Sequence, residues 1–189
     1  GHRPLKPRIL VRFQAWQPVW SMKSIGELYT ASEIYIELFD AFVAKHNLSG
    51  RAQVDHICYK CDSKESFEKI RKMFESEGKY IYQSVISKRR IAIIRFKKGI
   101  ETSLGIINFL ELSDQKPDNS QHEGFDHIEA YAVGRIYEEM IEEFEVSGIL
   151  VIKIERPHHT THDIDIGGGF LYRCTQGPLI EKIKSAEMV

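Results

Sequence analysis

The spacing of apolar residues changes period along the chain, and each change marks an element. Tyr35, Leu38, Phe39 and Phe42 recur at i, i+3, i+4 and i+7, the stripe of one helical face. Thr30 and Glu33 have capping-box spacing at its start, and "NLSG" at 47–50 supplies the stop. A strand is predicted over 53–60. A second helix follows, capped by Asp62 and Glu65, with Phe67, Ile70 and Phe74 inward and Gly78 at its end. Three strands come next without a helix between them: "YIYQSVI" (80–86), "RIAIIRF" (90–96) and "GIINFLEL" (105–112). Residues 97–99 read as the turn between the second and third. "SDQKPDNSQHEG" (113–124) is a linker by composition.

After the linker the order repeats. A strand over 125–133 leads to a helix with Tyr137, Ile141 and Phe144 on one face, closed at Gly148. Strands "ILVIKIE" (149–155), "HDIDIG" (162–167) and "FLYRCT" (170–175) follow, then a short C-terminal helix over roughly 178–186. His56 to Gly78 spans 22 residues, and His127 to Gly148 spans 21. Each half therefore reads β-α-β-β-β, over about 51–112 and 123–177, and the duplication is first a statement about fold.

Composition narrows the function. The 189 residues suit one domain, or two small halves sharing a core. No apolar run approaches the ~18–20 residues of a membrane span. A net charge of −1 gives no electrostatic signature of a nucleic-acid binder. Residues 1–24 form a basic, aromatic N-terminal extension, in which Gly1-His2 reads as a cloning remnant; residues 25–189 form the folded unit. Three cysteines, an odd and small number, point to a reducing, cytoplasmic setting. Cys58 and Cys61 have C-x-x-C spacing, but no second such pair exists to complete a structural zinc site.

The chemistry concentrates in a repeated tripeptide. Asp-His-Ile opens a strand at 55–57 and again at 126–128. By simple alternation His56 shares a face with Val54 and Cys58, and His127 with Phe125, Glu129 and Tyr131, while Asp55 and Asp126 face the other way. Glu111, on the fourth strand, is the nearest carboxylate in a strand context. Two imidazoles and a carboxylate suit a divalent ion such as Zn, Ni, Fe or Mn, with positions left for substrate. Taken singly, each His also reads as a satisfied core or rim residue. A second cluster, His158, His159 and His162, offers a further ligand, and His162 is best placed because it enters a strand. Glu129 is a candidate general base, ligand or orienting partner; Glu123 flanks the second tripeptide. "DIGGGF" (165–170) lacks the phosphate-loop pattern and reads as a strand turn.

These residues resemble a known family. Paired β-α-β-β-β halves, each opening with Asp-His-Ile, are similar to the vicinal oxygen chelate superfamily of glyoxalases, extradiol dioxygenases and epimerases. The segments "VDHICYKC", "FLELSDQKPDNSQHEGFDHIEAYAV" and "FLYRCTQGPLIEKI" resemble its YecM-like branch of metal-binding proteins. The resemblance covers roughly 27–186. It implies an α+β fold in which two modules form an open mixed-sheet half-barrel around a central pocket. It further implies metal ligands at His56, Glu111 and His127. The superfamily's last-strand carboxylate should fall in "FLYRCTQ", where Arg173 and Cys174 stand instead, leaving His162 as first choice for a fourth ligand. The implied function is metal-dependent isomerase, lyase or dioxygenase-like chemistry on a small oxygen-bearing molecule, with Glu129 and Arg173 as catalytic candidates. The alternative is a non-catalytic protein that binds a small molecule or partner and retains the fold.

Overall fold

The computed structural model describes residues 22–77, 80–86, 88–155, 159–179 and 181. Helix α1 (Ile25–Lys45) precedes strand β1 (Ala52–Lys60), helix α2 (Lys64–Ser76) and strands β2 (Tyr80–Ile86), β3 (Arg89–Thr102) and β4 (Gly105–Ser113). Strand β5 (Gly124–Ala132), helix α3 (Tyr137–Val146) and strands β6 (Ile152–Glu155), β7 (Thr160–Gly167) and β8 (Phe170–Thr175) repeat that order. All eight strands form one sheet in the order β2-β3-β4-β1-β5-β8-β7-β6. The order is symmetric about the β1–β5 seam, so the two modules meet edge to edge through their first strands. Within each module the first and last strands run parallel, β1 with β4 and β5 with β8; the seam itself is antiparallel. This is the expected α+β open sheet built from paired modules. The C-terminal helix expected over 178–186 falls, beyond Leu179 and Glu181, outside the described residues.

One face of the sheet holds the core. Helix α1 buries Leu28, Tyr35, Phe39 and Val43, and its aromatics bridge to the second module: Tyr35 meets Phe125 and Phe170, and Phe39 stacks on Tyr172 at 5.5 Å. The α1 start lies earlier than the Thr30–Glu33 spacing suggested. Ser24 accepts from the Glu27 amide at 3.1 Å, and Glu27 accepts from the Lys23 amide at 2.7 Å, so the same Ser-x-x-Glu logic operates one and a half turns upstream. Helix α2 is capped by Ser63 rather than Asp62, through the Ser66 amide. Its Phe67, Ile70 and Phe74 are buried as expected, whereas the Gly78 stop lies outside the described residues.

Strand β3 corrects the expected turn at 97–99. It runs on to Thr102 as a ribbon with β4, with an irregularity between Arg95 and Ile100. The reversal comes at Ser103–Leu104, where Asp40 of α1 accepts from the Ser103 amide and hydroxyl at 2.8 and 2.7 Å. Buried Ile100 opposite Ile107 explains the longer strand: strand alternation resumes after the two lysines. The 113–124 connection is held in place by buried Gln121, whose amide donates to the carbonyls of Cys61 and Asp114 at 2.7 and 2.9 Å.

Gly105 closes the β3–β4 turn at φ +111°, and a Cβ there would stand 2.6 Å from the Gln53 amide nitrogen. Gly105→Ala is therefore expected to cost roughly 1–2 kcal/mol, read as a lower urea midpoint with unchanged slope.

Candidate metal centre

The site grows out of two β-bulges. In the β1–β5 register Val54 pairs with Ala130 and His56 with Glu129; Cys58 pairs with His127 and Tyr59 with Phe125. Asp55 and Asp126 are therefore extra residues, each unpaired across the seam. A bulge reverses the alternation, so Val54 and Phe125 turn into the core while His56 and His127 face the opposite side. The shared faces expected for Val54 with His56 and for Phe125 with His127 are thus corrected; those of His56 with Cys58 and His127 with Glu129 stand.

Each bulge carboxylate bends back onto its own neighbour, which simple alternation does not anticipate. Asp55 Oδ2 lies 3.0 Å from His56 Nδ1, and Asp126 Oδ2 lies 2.8 Å from His127 Nδ1. A carboxylate on Nδ1 selects the Nδ1–H tautomer and leaves the Nε2 lone pair free. Asp55 also accepts from the Leu179 amide at 2.9 Å, and Asp126 holds Lys60 Nζ at 2.5 Å.

The two imidazoles meet with ring centroids 5.9 Å apart. His56 Nε2 is 3.5 Å from Glu111 Oε2 and 3.7 Å from Glu129 Oε2; His127 Nε2 is 3.8 Å from the same Glu129 oxygen. Both rings are 1% exposed, and Glu111, at 20%, is the most open of the four side chains. The buried His56 Nε2 has no hydrogen-bond partner. The second module differs at one point. Arg173 gives Asp163 both Nε and Nη2 at 2.7 Å, and its Nη1 lies 3.1 Å from both ring nitrogens of His127, over the ring.

Electrostatics separate the two histidines. Burial opposes protonation of His56, but Glu129, Asp55 and Glu111 outweigh it and raise its pKa well above the ordinary value. His127 is held below that value by burial and by Arg173, against Asp126 and Glu111. Burial alone would push Glu111 up; His56, His127 and Arg173 bring it well below the usual carboxylate range. Cys58, which donates to Glu111 Oε1 at 3.3 Å, is kept a thiol by burial and by Glu111 and Asp126.

The structure thus brings His56, Glu111, His127, Glu129 and Arg173 together. It does not bring His162 there: Tyr137 donates to the Cys174 carbonyl at 3.1 Å, and its oxygen accepts from His162 Nδ1 at 2.6 Å. His159 is exposed and His158 lies outside the described residues. Glu123 accepts from the Tyr59 hydroxyl on the core side. Sequence reasoning missed Asp55 and Asp126 as partners of the imidazoles, although the repeated Asp-His dipeptide was itself the signal. It also missed Asp163, the cross-strand partner of Arg173. Two surface hollows, of about 390 and 280 Å³, are lined by other residues, including Arg89 and Lys116 in one and Phe42 and Ile164 in the other.

The residues present fit a divalent ion. His56, Glu111 and His127 each offer a ligand atom, and these lie within 4.8 Å of one another. The buried His56 Nε2 without a hydrogen bond is the kind of polar atom that an ion or water would satisfy. Residues 25–163 match the model of the YecM protein family. The chain belongs to the YecM family. A structural-genomics structure titled "Protein EC4020" has a similar fold: TM-score 0.65, 19% identity, over 88% of this YecM-family chain and 94% of that one. The fosfomycin resistance protein FosX from Listeria monocytogenes, solved with Mn(II) and sulfate, aligns over 70% of this chain and 95% of its own. Its identity is 18% and its TM-score 0.27. No curated protein matches. Among the described residues of this YecM-family chain no helix is long and apolar enough to cross a membrane.

The Asp163–Arg173 pair is nearly buried, with side chains 8% and 12% exposed. Asp163→Asn removes the guanidinium's hydrogen-bonded counter-charge, leaving Glu129 and Asp126 nearby, and is expected to lower stability by about 1–3 kcal/mol, measured by chemical denaturation.

Proposed function

We propose that this chain binds a divalent metal ion through His56, His127 and Glu111 and uses it to bind, or act on, a small oxygen-bearing molecule. The observation that carries the reading is the buried, partnerless His56 Nε2 aimed at two carboxylates. An ion at this point supplies Lewis-acid stabilisation of negative charge on a ligand oxygen. The chain's own residues do the rest. Asp55 and Asp126 hold the imidazoles in the tautomer that presents Nε2, and the core packed behind Ile57 and Ile128 fixes the strands that carry them. Glu111 offsets part of the ion's charge and borders the open side. Zn, Ni, Fe and Mn all suit imidazole and carboxylate donors. Three buried free thiols accord with a reducing, cytoplasmic setting.

A second reading, a binding protein without turnover, is favoured by Arg173. Asp163 occupies its Nε and Nη2, so we assign it charge and packing beside His127 rather than capture of an anionic substrate.

Metal analysis of protein purified without a His-tag or metal-affinity resin tests the centre. Stoichiometric metal, lost in His56→Ala and in His127→Ala, is the expected result; wild-type protein that carries none and takes up none on reconstitution refutes it. Turnover assays on the loaded protein then separate enzyme from binder. Asp126→Asn is expected to weaken metal affinity about 10–100-fold without emptying the site, measured by competition with a chromophoric chelator.

A further inference from the structure

The two parallel strand pairs share one register. His56 is followed two residues later by Cys58, which pairs with Glu111; His127 is followed two residues later by Glu129, which pairs with Arg173. Under the pseudo-twofold, Glu111 and Arg173 are therefore equivalent positions, and so are Cys58 and Glu129. On β8 a guanidinium stands where the symmetric site has its carboxylate, and Asp163 locks it there through two hydrogen bonds. The strand beside it supplies the acid instead.

Glu129 is placed for that task. Its Oε2 is almost equidistant from the two Nε2 atoms, at 3.7 and 3.8 Å, and Glu111 Oε2 stands 3.5 Å from His56 Nε2. Tetrahedral bonds of ~2.1 Å set neighbouring ligand atoms about 3.4 Å apart, close to these three separations. Glu129 groups with His56 and Asp55, and Glu111 with His56 and His127, so the carboxylates must still close in to share one ion. Glu129 is 7% exposed as a residue, and its cross-strand neighbours are His56 and Arg173. A carboxylate buried there requires a cation or a donor.

We infer that Glu129 is the fourth ligand of the metal centre, its carboxylate having moved from the last strand to β5. The inference rests on the metal reading above. It gives a donor set of two imidazole nitrogens and two carboxylate oxygens, formally neutral around a divalent ion. The Arg173–Asp163 pair stands beside it with no net charge. Ligation through one oxygen would lower the basicity of Glu129 while leaving its second oxygen able to accept a proton.

Co²⁺ titration followed by visible absorption tests the assignment, because band position and intensity report the ligand set as well as occupancy. Glu129→Gln is expected to lower Co²⁺ affinity more than about 100-fold, beyond the ~10–100-fold typical of an orienting residue, and to change the spectrum. Either property unchanged, with the ion still lost in His56→Ala, overturns Glu129 as ligand and leaves the centre standing. No Co²⁺ binding by wild-type protein overturns both. If Glu129→Gln does not fold, judged by its circular dichroism, Glu129→His decides: a bound ion with an altered spectrum supports ligation, and an unaltered spectrum overturns it.

Discussion

The antiparallel pairing of β1 with β5 carries the constraint on which the rest depends. Regular pairing would give each strand one apolar face and one polar face in strict alternation. The bulges at Asp55 and Asp126 break that rule once in each strand, at symmetric places. Before the bulge, Val54 and Phe125 serve the core under α1; after it, His56 and His127 serve the opposite face. Ile57 and Ile128, fully buried and paired across the seam, hold the register between the two histidines. Core packing and site geometry are therefore set by the same pairings.

Charge explains why the face opposite the helices is not a second apolar layer. Asp55, Glu111, Asp126 and Glu129 surround the two histidines, and Lys60 pairs with Asp126 while Arg173 pairs with Asp163. The carboxylates outnumber the cations, and Glu129, Asp55 and Glu111 favour protonation of His56, which reduces the excess. A divalent ion and a proton on His56 answer the same electrostatic demand, and the lone pair at Nε2 can satisfy only one of them.

Much of the fold was legible because its signals are local. Helix stripes such as Phe67, Ile70 and Phe74, the strand windows and the duplicated order all rest on spacing within a dozen residues. The misjudged points depend on partners far away. Strand β3 continues past 97–99 because Ile107 faces Ile100 and Asp40 of a helix caps the reversal. The faces of Val54 and Phe125 were inverted because a bulge is a property of two strands together, invisible in either one alone. The convergence of His56, Glu111 and His127 followed from the repeat, whereas His162 was misplaced because its neighbour Tyr137 lies on α3, 25 residues upstream. Asp163 faces Arg173 only through the β7–β8 register, which no spacing rule supplies.

The bond from the Leu179 amide to Asp55 Oδ2 joins residues 124 positions apart. A ribosome releases the first module long before that amide exists, so Asp55 emerges with one acceptor bond unmade and His56 without its final restraint. Strand β1 likewise waits for β5 before its second edge is covered. The order of synthesis therefore delays the final restraint on His56 until the second module has been made. An ion held by both imidazoles would meet them only once β5 has joined β1.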